Sequence, residues 1–288
     1  MTFASQEMPW MEDPRKKMLR WLHSEVSRAI AQEFKLLDEE NASVARNHQA
    51  GHEVLYSWHQ SEATVITFNW DTLVERLAMQ LPNNVREGSL YQVSIRDVAH
   101  RLGDNQNVTI REQPATSFQL LKMHGSINWY QAATGNSPDI YYNPVDPGVL
   151  TPFPDDAREK GMRGLIPMII PPVLDKSVFY GNDVITAQWT LAMDALKKAS
   201  AIYISGYSLP ETDLATQFLF REALEENRQC PIYLVTKAAS KEEEILKQRY
   251  LDVLNDKSNE QGRLNIHNAG ADESSLGLLA KLINKKGP

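Results

Sequence analysis

Over residues 14–40 the apolar positions Met18, Leu22, Val26, Ala29, Ile30, Phe34 and Leu37 recur at three- and four-residue steps. That spacing predicts a long amphipathic helix, with Pro14 in its first turn. A weaker helical stretch follows over residues 43–60. The period then changes. Residues 63–68 (ATVITF) are β-branched and nearly all apolar, which predicts a short strand buried on both faces of a parallel sheet. It runs into Asp71 and the helix-like TLVERLAMQL. Residues 118–123 (FQLLKM) read as a strand ending at His124-Gly125, and residues 201–205 (AIYIS) as one ending at Gly206. A helix over 213–227 precedes a strand over 232–236 (IYLVT), and a last strand over 264–267 precedes a closing helix over 273–284. Strands alternating with helices predict βαβ units and an α/β fold: a doubly wound parallel sheet with helices on both faces. Residues 130–164 carry Gly, Pro, Asn and Asp with little periodicity and predict a long surface excursion. The charged stretch 241–247 fits a solvated helix face.

Composition narrows the picture. The chain has 288 residues, 42% hydrophobic and 23% charged, enough apolar material for one α/β domain. The expected organisation is a single domain over 1–288, with a helical part to residue 60, a core over 63–236, and C-terminal helices with the last strand over 237–288. A formal charge of −7 offers no basic field for a polyanion, so nucleic acid is not an expected partner. One pyrophosphate is different, because backbone amides at a helix N-terminus can cradle it without net positive charge. The sole cysteine, Cys230, excludes a disulfide framework and a zinc site of several thiolates. The expectation is therefore no zinc module, no metal, and a reducing, cytoplasmic setting. No run approaches the roughly 20 apolar residues that cross a bilayer, and the opening MTFASQEMPWMEDPRKK lacks a secretory pattern. Neither membrane nor secretion is expected.

In open α/β sheets, ligands bind beyond the carboxyl ends of the strands. Those ends read Thr67-Phe68-Asn69-Trp70-Asp71, His124-Gly125-Ser126, Gly206-Tyr207-Ser208 and, after 232–235, Thr236. The set suits opening a glycosidic bond to a cationic leaving group, which needs a held water, a polar group to orient it and a base. Asn69 can position water or a ribose hydroxyl through its amide. His124 is of the one side-chain type whose reference pKa, about 6.5, suits taking a proton near neutrality. Gly206 allows close backbone approach, and Ser208 offers a hydroxyl to phosphate or ribose.

The segments VITFNWDTLVE, KMHGSINW, IPMIIPP and AIYISGYSLPETD, in that order, are similar to those of the prokaryotic sirtuin-like NAD-hydrolase family, several members of which act in defence against phage. The resemblance covers about residues 63–236. It implies a Rossmann-like, sirtuin-like domain that hydrolyses NAD to nicotinamide and ADP-ribose. By position, Asn69 and Asp71 match the family's residues lining the nicotinamide-ribose pocket, His124 its catalytic histidine, and Gly206 with Ser208 its nucleotide-contacting Gly-x-Ser. Thr67, Phe68, Gly125 and Thr236 fall beside these and are expected to contact the nucleotide. The chain departs from the family in three ways. Phe68 stands where protein-deacylating sirtuins carry glutamine. The four-cysteine zinc module is absent, which disfavours protein deacylation and ADP-ribosyl transfer. The family's opening Gly-Ala-Gly-x-Ser turn has no counterpart in residues 1–60, whose only glycine is Gly51. The last departure leaves a second expectation, an N-terminally truncated, catalytically incomplete nucleotide-binding or assembly module. A homo-oligomer or a partner protein is compatible with either.

Each residue also has a plainer reading. Asn69 and Asp71 precede a helix, where Asn and Asp are favoured N-caps. His-Gly after a strand and Gly-Tyr-Ser before a helix are common turn sequences. Asp213 fits a cap on the next helix, and Trp70 and Trp129 fit packing residues.

Overall fold

The computed structural model describes residues 13–46, 49–81, 87–99, 117–132, 139–145, 160–170, 182–237, 240–256, 262–269 and 275–285. They fall into two compact units, one drawn from residues 1–48 and 58–189, the other from 49–57 and 190–288.

The first unit opens with α1 (Asp13–Arg46), which has Pro14 as its second residue, where a missing N–H costs nothing. After α2 (Gln49–Gln60), most of which belongs to the second unit, come β1 (Thr64–Thr67), α3 (Leu73–Ala78), α4 (Glu87–Leu90), β2 (Ile95–Asp97) and β3 (Gln119–Lys122). Then follow β4 (Gly125–Ala132), β5 (Ile140–Tyr142), β6 (Leu165–Ile169) and α5 (Asp183–Lys198), of which residues 183–189 belong to this unit. The strands β1 and β3 pair in parallel with Thr67 opposite Lys122. A second sheet has the order β2-β5-β4-β6, antiparallel except for β2 with β5. This sheet corrects the expectation of an unstructured excursion over 130–164. Part of that stretch is the end of β4 and all of β5, while 133–138 and 146–159 lie outside the described residues. The alternation there is short and interrupted by turn residues, which is why it reads as loop.

Two further expectations change. The helix α1 packs on β4, β6 and α3; among its described side chains Ser27 and Ala31 are buried, Val26 and Ile30 half-buried, and Met18, Leu22, Phe34 and Leu37 exposed. Small residues let a helix approach a sheet closely, and only the middle of the predicted apolar stripe is partly covered. The strand β1 is not buried on both faces: Thr64 is exposed and Val65 to Thr67 are half-buried. Among the described residues it pairs on one side only, with β3.

The second unit contains β7 (Ile202–Ser205), α6 (Leu214–Glu226), β8 (Ile232–Thr236), α7 (Ser240–Val253), β9 (Leu264–Asn268) and α8 (Ser275–Lys285). Its three strands form a parallel sheet of order β7-β8-β9, with Ile202, Ile232 and Leu264 in one register row. The central strand β8 is buried throughout, as its all-apolar run and Thr236 require when strands flank both sides. The helix α8 packs on β7 and β8, and α6 on α7. The guanidinium of Arg263 donates to the carbonyls of Leu224 (3.3 Å) and Arg228 (3.0 Å) at the end of α6, a cation placed where that helix has unsatisfied acceptors. The α/β class and its parallel strands flanked by helices are thus present in both units. Among the described residues no helix is long and apolar enough to cross a membrane.

Candidate active site at the ends of β1 and β3

Parallel pairing decides what meets at the sheet edge. Because Thr67 lies opposite Lys122, Asn69 and His124 each stand two positions beyond a paired residue, on adjacent strands and at the same carboxyl edge. The ring of Phe68 packs edge-on against the imidazole of His124, with centroids 5.3 Å apart at 61°. The phenyl ring thus meets the histidine directly and holds one side of it dry. Asn69 is exposed and His124 half-buried.

The turn carrying Asn69 is fastened at many points. The main-chain N–H of Asn69 donates to Thr67 Oγ1 at 3.1 Å, and that of Met123 to the Thr67 carbonyl at 3.0 Å. The Trp70 carbonyl accepts from Ile127 N–H at 2.9 Å and from Ser126 Oγ at 3.1 Å. The carboxylate of Asp71 accepts from Leu73 N–H at 3.1 Å, so Asp71 caps α3 from just before its start, and Thr72 makes no side-chain cap. The capping reading of Asp71 is therefore realised in the structure. Trp70 packs against Phe34 at 5.3 Å and the buried Trp129 against Tyr91 at 5.1 Å, so both are packing residues.

Gly125 has a steric reason to be glycine. Its φ is +75°, and a Cβ there would lie 2.1 Å from the Met168 carbonyl oxygen of β6. The adjacent His124 carbonyl accepts from Ile170 N–H at 2.8 Å, which fixes the backbone that presents the imidazole.

Behind this edge lies a buried charged cluster that the sequence did not disclose. Lys122, Glu75, Glu87, Tyr91 and Asn128 are all buried. The ammonium of Lys122 donates to Glu75 Oε1 at 2.8 Å and to the main-chain carbonyl of Asp71. The Tyr91 hydroxyl lies between Glu75 Oε1 (3.0 Å) and Glu87 Oε1 (3.2 Å). Glu87 also accepts from Asn128 Nδ2 at 2.6 Å and from Val145 N–H at 2.9 Å. Burial first, then the charge of Glu75, pushes the Glu87 carboxyl up from 4.5 to about 8. A protonated Glu87 fits the geometry, because one hydroxyl hydrogen on Tyr91 cannot serve two carboxylates at once. The legible signal was Lys122, a lysine inside an otherwise apolar strand. Nothing in the sequence pairs it with residues 75 and 87.

The other predicted residues lie in the second unit. Gly206, with φ +69° and open space at its Cβ position, and Ser208 are exposed just past β7, and Thr236 is buried at the end of β8. The Ser208 carbonyl accepts from Arg249 at 3.4 Å. Asp213 occupies the N-cap position of α6 but makes no side-chain cap; its carboxylate accepts from the Tyr207 hydroxyl at 2.9 Å. Capping by Asp213 is thus a correction: the nearby hydroxyl outcompetes the helix amides for that oxygen. Among the described residues no group of three or more His, Cys, Asp or Glu could hold a metal ion.

No protein-family model matches the chain, and no curated protein matches it. Among solved structures it is similar to a Sir2 enzyme, from work on the mechanism and regulation of such enzymes, with a TM-score of 0.38 and 13% identity over 88% of this chain and 79% of that one. It is also similar to a Sir2 in complex with the inhibitor EX-527, 2'-O-acetyl-ADP-ribose and a deacetylated p53 peptide, with a TM-score of 0.38 and 14% identity over 83% of this chain and 71% of that one.

Proposed function

We propose that this chain is a sirtuin-like, metal-independent NAD glycohydrolase that releases nicotinamide and ADP-ribose. What supports the proposal is the register of β1 and β3, with Thr67 opposite Lys122, so that Asn69 and His124 each follow two residues after a paired position at one carboxyl edge. Asn69 orients the water and a ribose hydroxyl, His124 takes the proton, and Asp71 keeps the turn closed through its bond to Leu73 N–H. In the reaction, water oxygen bonds to C1′ of the nicotinamide ribose and the C1′–N bond breaks. Its electron pair leaves with neutral nicotinamide, and the water proton passes to the imidazole. Thr67, Phe68 and Gly125 shape the reacting end, while Gly206, Ser208 and Thr236 are assigned to nucleotide contact. On the sequence resemblance, the activity serves antiphage defence, and the sole cysteine suits a reducing, cytoplasmic setting.

Following nicotinamide release from NAD tests the roles. Wild type is expected to turn over, and Asn69→Ala and His124→Ala are each expected to lose on the order of a hundredfold in kcat. Activity surviving both changes rejects the assignment.

A second reading, a nucleotide-binding or assembly module without turnover, is favoured by the N-terminal part. Residues 13–46 and 49–60 are helical, and Gly51 sits inside α2, so the described part of that stretch holds no glycine-rich strand-to-helix turn. Calorimetric titration with ADP-ribose separates the readings. Tight binding without nicotinamide release supports the module, and rapid release ends it. Binding unaltered in Ser208→Ala would remove that residue from the nucleotide assignment.

A further inference from the structure

Lys122 is 1% exposed, and burying an ammonium is costly even when it is paired. A buried ion pair stabilises a core no better than a well-packed apolar pair of the same volume. An apolar pair, however, cannot hold a main-chain carbonyl. The ammonium of Lys122 holds the carbonyl of Asp71 while bonded to Glu75 Oε1 at 2.8 Å, and Asp71 is two residues from Asn69.

The lysine itself is fixed from three directions. Its main chain is part of β3, opposite Thr67. Its N–H donates to Gln188 Oε1 on α5 at 2.8 Å. Its carboxylate partner is buttressed by Tyr91, which Glu87 and Asn128 hold in turn. The cluster is not tuned for stability alone: among the described residues Glu75 Oε2 and Asn128 Oδ1 are buried without a hydrogen-bond partner, which is unfavourable. The strand that delivers Lys122 delivers His124 two residues later, so one strand carries both the imidazole and the clamp on the facing turn.

We infer that Lys122 is a positioning residue: it grips the Asp71 carbonyl and so sets Asn69 at a fixed place relative to His124, with Glu75, Tyr91, Glu87 and Asn128 as its buried support. That this placement serves NAD cleavage rests on the reading above, whereas the grip on the turn does not. Two variants separate the grip from simple misfolding. Lys122→Met removes the donor but leaves Glu75 unpaired; the double variant Lys122→Met with Glu75→Gln removes the donor without stranding a charge.

By hydrogen exchange and mass spectrometry, both variants are expected to exchange about tenfold or more faster over residues 68–72, with the strands of the second unit unchanged. In nicotinamide release, the double variant is expected to lose about tenfold or more in kcat with KM within about threefold, and Lys122→Arg to recover part of the loss. Unchanged exchange over 68–72 in a folded double variant overturns the inference, as does a loss confined to KM. If wild type releases no nicotinamide, the NAD reading falls, and exchange alone decides whether Lys122 holds the turn.

Discussion

Two glycines at predicted strand ends have different physical reasons to be glycine. Gly125 and Gly206 share a positive φ, +75° and +69°. A side chain at Gly125 would drive into the Met168 carbonyl, whereas nothing lies within 4 Å at Gly206. Gly206→Ala is therefore expected to cost only the left-handed backbone penalty, about 1 to 2 kcal/mol. Gly125→Ala adds a backbone collision and is expected to cost more than about 3 kcal/mol. Denaturant unfolding midpoints of the two variants check this, and equal losses would contradict the steric account. Sequence alone could show that both glycines follow strands. It could not show which one another strand would cover, because β6 lies some forty residues further on.

At the scale of elements, the cluster around Tyr91 joins α3, α4, β3 and β4 through side chains that no local pattern links. Its central titration has a predictable sign. With Glu87 raised to about 8 from 4.5, the folded chain retains a proton that the unfolded chain gives up at lower pH. Stability is therefore expected to be highest below about pH 4.5 as far as this group is concerned, to fall as pH rises through the window to about 8, and to level above it. Glu87→Gln is expected to flatten that slope, which amounts to a few kcal/mol at most once coupling to Glu75 is allowed for. An unchanged slope in urea unfolding across pH 5 to 8 would show that Glu87 is not the group responsible. The elements themselves were partly legible. The strands β1, β3, β7, β8 and β9 follow from apolar runs ended by turn residues, and α1 and α6 from their helical spacing. The sheet β2-β5-β4-β6 escaped because β2 and β5 are three residues each.

At the scale of the molecule, the sequence brought forward Asn69 and His124 as candidate residues, and the fold shows that both follow strands of one parallel pair. Parallel pairing of β1 with β3 ends both strands at one edge although the two residues are more than fifty positions apart, and Phe68, Trp70, Ser126 and Lys122 hold the turns at that edge. The sequence could put forward candidate reacting groups because their residue types are chemically specific. It could not supply the buried scaffold, because a lysine, two glutamates, a tyrosine and an asparagine carry no signal of contact until the chain is folded. The account is tested most directly by a crystal structure of the chain with ADP-ribose. It predicts the ribose within hydrogen-bonding distance of the Asn69 amide and against the His124 imidazole; ADP-ribose seated away from either side chain, or absent at millimolar concentration, would contradict it.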